Sequence, residues 1–131
     1  MQVRVLFLAL KWFRRVSVGG VLRYLMGALV HVWLARTFPW GTLGVNVLGS
    51  AMIGLLWVLL AARGEQGEVL RAFVIVGLLG GFTTFSSFSL ETLLLAEQHG
   101  FGRAGAYVLS SVVLCLAGAW AGLSAGRQWL Q

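Results

Sequence analysis

Four apolar segments run through the chain, at about 16–36, 42–62, 71–97 and 104–127, and the polar residues between them are few and grouped. A helix needs about 20 residues to cross the hydrocarbon of a bilayer, so each segment is long enough to span. Arg36, Pro39 and Trp40 close the first segment, Arg63 and Gly64 the second, and His99 and Gly100 the third, while Trp129 follows the fourth. Trp12, Trp33, Trp40, Trp57, Trp120 and Trp129 lie mostly near segment ends, as interfacial tryptophans do. The links are short. The pattern predicts one all-α integral membrane domain of four helices over residues 1–131, with residues 1–15 as a basic amino-terminal extension.

The third segment breaks the apolar pattern. Residues 77–92 read GLLGGFTTFSSFSLET, and Thr83, Thr84, Ser86, Ser87 and Ser89 place five hydroxyls in the seven residues 83–89. Gly80-Gly81-Phe82-Thr83-Thr84 predicts an interruption of the helix. Backbone carbonyls freed at membrane depth must find partners, and a bound monovalent cation is one solution that unwound segments use; hydroxyls or water are others. Phe82, Phe85 and Phe88 recur every three residues, so on a continuous helix they share a face. Such a stripe serves core packing, or turns the positive ring edges towards a small anion.

Composition agrees with the membrane reading. The chain is 59% hydrophobic and 11% charged, and its four acids are Glu65, Glu68, Glu91 and Glu97. That is too little charge for the surface of a soluble domain. The net charge of +6 is no nucleic-acid signature, because the basic residues sit at loop ends or before the first span as Arg4, Lys11, Arg14 and Arg15. Seven basic residues fall on the terminal side and two, Arg36 and Arg103, on the other, which predicts cytoplasmic termini. Without the four that precede the first span the bias nearly vanishes. Cys115 is the single cysteine, so no intrachain disulfide forms and no cysteine cluster holds a metal.

Further polar residues interrupt the other spans. Arg23 lies about a third of the way into the first, in Gly19-Gly20-Val21-Leu22-Arg23-Tyr24; a charge there faces protein or water, or snorkels to a headgroup. Asn46, in Gly41-Thr42-Leu43-Gly44-Val45-Asn46, either joins helices or binds a solute. Tyr107, Ser111 and Cys115 recur at helical spacing in the fourth, where hydroxyls line a path or bond back to their own helix. Gly118, Gly122 and Gly126, with Ala117, Ala121 and Ala125 beside them, form a face for close helix packing.

Taken together these blocks resemble the fluoride-channel family, called Fluc or CrcB, over nearly the whole chain from Val16 to Gly126. The glycine-rich start ending in Arg23-Tyr24, the Gly-Thr-Leu-x-x-Asn block, the Gly-Gly-x-Thr-Thr-Phe-Ser-x-Phe block and the hydroxyl-bearing last helix appear in order. The resemblance implies four-helix subunits with a broken third helix, paired antiparallel in the bacterial inner membrane around two fluoride pathways. It implies that Asn46, Phe85, Phe88, Tyr107 and Ser111 line the pathway, that the carbonyls of Gly80 and Thr83 hold a structural Na⁺ at the dimer interface, and that Arg23 is structural. Function is then passive export of cytoplasmic fluoride down its gradient. Two features depart from the family: Cys115 stands where many relatives carry a third hydroxyl, and Phe13-Arg14-Arg15-Val16 is basic where relatives are apolar or glycine-rich. The second subunit is therefore either this same chain or an oppositely oriented paralogue.

Other function classes fit less well. A small multidrug exporter needs an acid within its spans to trade protons for a cation, and the first two segments contain none. An intramembrane enzyme needs a nucleophile with its base, or metal ligands; His31 and His99 lie near segment ends, and the chain contains no Asp. A purely structural subunit does not account for the hydroxyl and phenylalanine cluster.

Overall fold

The computed structural model describes residues 17–26 and 37–131. Residues 17–26 form a helix, α1; the rest of the first expected span, with His31 and Arg36, and the basic extension 1–15 lie outside the described residues. Five further α-helices follow: α2 (Trp40–Ala61), α3 (Gly64–Arg71), α4 (Gly80–Phe82), α5 (Phe85–His99) and α6 (Phe101–Trp129). Between α3 and α4, residues Ala72–Leu79 continue the helix in the wider π form. Among the described residues three stretches are long and apolar enough to cross a membrane: Trp40–Ala61, Gly64–His99 and Phe101–Trp129. The chain is thus an all-α membrane protein.

Helix ends follow local chemistry. Pro39 precedes α2, where its missing N–H has no helical partner to lose, and Leu43 N–H closes the first turn on the Pro39 carbonyl at 3.2 Å. The α2–α3 link turns at Gly64 with φ 62°, a conformation that favours glycine. The next stretch starts at Gly64, ahead of the expected start near residue 71, because the polar sequence GEQGEVLR is helical yet carries no apolar signal. Here the Arg71 guanidinium stacks 4.4 Å from the Trp57 ring centre, a cation–π pair between α2 and the end of α3. Gly100, with φ 88°, separates α5 from α6.

The closest packing joins α2 to α6, and glycine permits it. A methyl added at Gly54 would run into the Ala119 carbonyl, and one at Gly122 into the Ala51 carbonyl. At Gly118 it would stand 3.1 Å from the Val47 carbonyl. The glycine face expected from the fourth segment therefore packs on α2, while Ala117, Ala121 and Ala125 point outwards. Gly19 of α1 seats against the Leu78 carbonyl and the Phe82 amide in the same manner. Much apolar area remains exposed, including Phe85, Leu90, Leu93, Phe101, Leu109 and Trp120, as suits a membrane protein.

Candidate functional site

Thr83 and Thr84 leave the helix and run extended, with φ/ψ of −79°/154° and −150°/118°. Thr84 N–H donates to Asn46 Oδ1 at 2.9 Å, and Asn46 Nδ2 donates to the Thr84 carbonyl at 3.2 Å. The side-chain amide of α2 therefore pairs with one residue's backbone as a neighbouring strand would. The orientation of that amide is fixed by its partners, since an N–H must meet the oxygen and a carbonyl the nitrogen. The second Asn46 N–H makes no hydrogen bond among the described residues.

Thr84 also caps α5. Its Oγ1 accepts from Ser87 N–H at 3.3 Å and lies 3.1 Å from Ser86 Oγ, a side-chain N-cap that satisfies a donor of the first turn. These two contacts reroute two amides. In a continuous helix Thr84 N–H would pair with the Gly80 carbonyl and Ser87 N–H with the Thr83 carbonyl; here they face Asn46 and Thr84 Oγ1 instead. Gly80 and Thr83 thus offer carbonyl oxygens without those helical partners, a donor set that suits a hard monovalent cation.

The interruption also separates the phenylalanines. Phe82 is buried, with its ring near Gly49, whereas Phe85 is 78% exposed. The three-residue stripe is not one face, because two extended residues fall within it. Phe85 and Phe88 stay paired, their ring centres 5.4 Å apart, and Phe88 packs in turn on Tyr107 at 5.2 Å.

Tyr107 is fully buried, and its hydroxyl donates to Glu91 Oε2 at 2.8 Å. Thr42 Oγ1 donates to Glu91 Oε1 at 2.7 Å. In this state the Tyr107 proton faces a carboxylate and is not free to meet an anion. Glu91 and Thr42 were not among the residues picked from the sequence, although an acid inside an apolar span is itself a signal. Tyr107→Phe is expected to leave Glu91 with Thr42 alone and to lower stability by about 1–3 kcal/mol, the penalty of an unsatisfied buried acceptor. Denaturation in detergent checks this; an unchanged midpoint would contradict it.

Several hydroxyls bond to the backbone of their own helix, Ser89 to Phe85 O, Thr92 to Phe88 O and Ser110 to Tyr107 O, and Thr83 bonds back to Leu79 O in the stretch it follows. Ser111 differs. It is buried, and its Oγ has no hydrogen-bond partner among the described residues. It lines a cleft of about 380 Å³ together with Asn46, Thr83, Thr84, Phe85, Phe88 and Cys115. The structure therefore brings Asn46, Phe85, Phe88, Ser111 and Thr83 to one cavity. It sets Tyr107 at the neighbouring carboxylate cluster, and leaves Arg23 half-buried on α1, one turn beyond Gly19.

A family profile described as CrcB-like protein, Camphor Resistance (CrcB), matches residues 15–123. A protein of Magnetococcus marinus named fluoride-specific ion channel FluC is 50% identical over 111 residues, covering 85% of this chain and 90% of the relative. Proteins of the same name from Geobacter sulfurreducens and Agrobacterium fabrum are 48% and 47% identical, covering 86% and 85% of this chain and 90% and 89% of the relatives. With most of its length inside the profile and such relatives matched nearly end to end, the chain belongs to the CrcB family.

Proposed function

We propose that this chain is a passive, fluoride-selective channel that lets cytoplasmic fluoride leave a bacterium through its inner membrane and so confers fluoride resistance. The observation that carries the reading is the shared cavity: Asn46, the Phe85–Phe88 ring pair and Ser111, whose hydroxyl has no partner among the described residues, line one cleft. Fluoride holds its water tightly. A pore must replace that water with donors at close quarters, and hydroxyl, amide and ring edges do so without a full positive charge that would trap the ion. Chloride is excluded by width. Nothing needs to pump, because HF entering from an acid exterior dissociates inside and supplies the outward gradient.

The working unit is a pair of four-span subunits packed antiparallel, with the break of the third span at its centre. Phe85 is too exposed to act as a pore wall in one subunit alone, and a second copy supplies the missing side. The Gly80 and Thr83 carbonyls would hold a Na⁺, whose charge would offset the repulsion between their oxygens. It is structural and takes no part in anion transfer. Replacing Na⁺ in every buffer by N-methyl-D-glucamine is expected to lower both fluoride efflux and the thermal midpoint; indifference of both would contradict the assignment. Arg23 is structural as well.

Expression in a bacterium stripped of its own fluoride exporters tests the function in cells. Restored growth in fluoride medium is expected. Membrane-inserted protein that leaves the cells sensitive would contradict it.

A further inference from the structure

Cys115 sits one helical turn beyond Ser111 on α6, and residues at that spacing share a face. Both line the cleft that also holds Asn46 and the Phe85–Phe88 pair. Ser111 is 6% exposed and its hydroxyl lacks a partner among the described residues, so a hydroxyl with unused hydrogen-bonding capacity lies in this wall beside the thiol. The thiol is half-buried and is a free cysteine.

We propose that Cys115 is a modification site on the wall of the conducting cavity, open to small sulfenylating electrophiles whose adduct closes the passage. The inference rests on the channel reading above. Thiolate is the reactive form, and a small reagent reaches this thiol through the cleft that Cys115 lines, so the reaction reports on the cleft side of the helix. The adduct also replaces a weak donor by a group that donates nothing, beside the Ser111 hydroxyl.

Methyl methanethiosulfonate is the probe. The Cys115 thiol gives its proton to water, and the sulfur attacks the reagent's sulfenyl sulfur. A new S–S bond forms as the S–SO₂ bond breaks, and methanesulfinate leaves with the electron pair. The full chain in liposomes is first assayed for fluoride efflux without reagent. After treatment, intact mass is expected to show one methylthio adduct, and efflux to fall to the rate of empty liposomes and return with dithiothreitol. Cys115→Ser, which restores a hydroxyl, is expected to conduct faster than the native chain and to be indifferent to the reagent. An adduct that leaves efflux intact would overturn the proposal. So would a thiol that resists the reagent in the folded protein yet reacts after unfolding in detergent. Absent efflux before any reagent is added overturns the channel reading, and this inference with it.

Discussion

Asn46→Leu is expected to abolish fluoride efflux and to destabilise the protein. The substitution removes both bonds of the amide to Thr84 and leaves an N–H and a carbonyl unpaired at membrane depth, where water is scarce. Each unsatisfied group costs about 1–3 kcal/mol. The extended pair Thr83–Thr84 then has no strand-like partner, and the cap that Thr84 places on α5 loses its anchor. Asn46→Asp separates the two roles of this residue. The carboxylate still accepts from Thr84 N–H but no longer donates, and it brings a negative charge to a path for anions. It is expected to lose part of the stability, because the Thr84 carbonyl then faces an oxygen in place of its donor, and to lose conduction. Thermal melting in detergent beside liposome efflux distinguishes these outcomes; an Asp variant that conducts would show that Asn46 does not face the ion.

Gly122→Val is expected to prevent assembly of the fold. A side chain at Gly122 meets the Ala51 carbonyl and the Leu55 amide of α2, which are backbone and cannot rotate aside. Overpacking of an interior typically costs about 1–3 kcal/mol, and a clash with a main chain lies at or beyond the upper end, since α2 and α6 must separate along their contact. Gly122→Ala is expected to show a smaller loss of the same kind. Gly105→Ala, on the same helix but in open space, is expected to be neutral or to stabilise by up to about 1 kcal/mol through helix propensity. Monodispersity after extraction and the denaturation midpoint measure the contrast. Equal behaviour of Gly122→Ala and Gly105→Ala would contradict the packing account.

The second, third and fourth spans were legible because apolar runs of this length have few other uses. The place where the third segment leaves the helix was legible from its paired glycines and threonines. What the sequence hid follows from geometry. Hydropathy could not find α3, whose helix is polar. The Phe82–Phe85–Phe88 spacing assumed an unbroken helix, and two extended residues put Phe82 inside and Phe85 outside. Asn46 was legible as a polar residue at membrane depth, but its pairing with Thr84 joins residues 38 apart in the chain. The Thr42–Glu91–Tyr107 cluster draws one residue from each of three helices, and no local pattern connects them; in the sequence Glu91 stands out only as one of four acids.

The most direct test reconstitutes the purified chain alone into liposomes and follows fluoride efflux with an ion-selective electrode, with chloride as the control anion. Rapid efflux of fluoride without chloride, abolished by Phe85→Ile, is the expected result, and it establishes a channel that this chain forms with itself. Folded protein that releases no fluoride, or releases chloride equally well, would contradict the account.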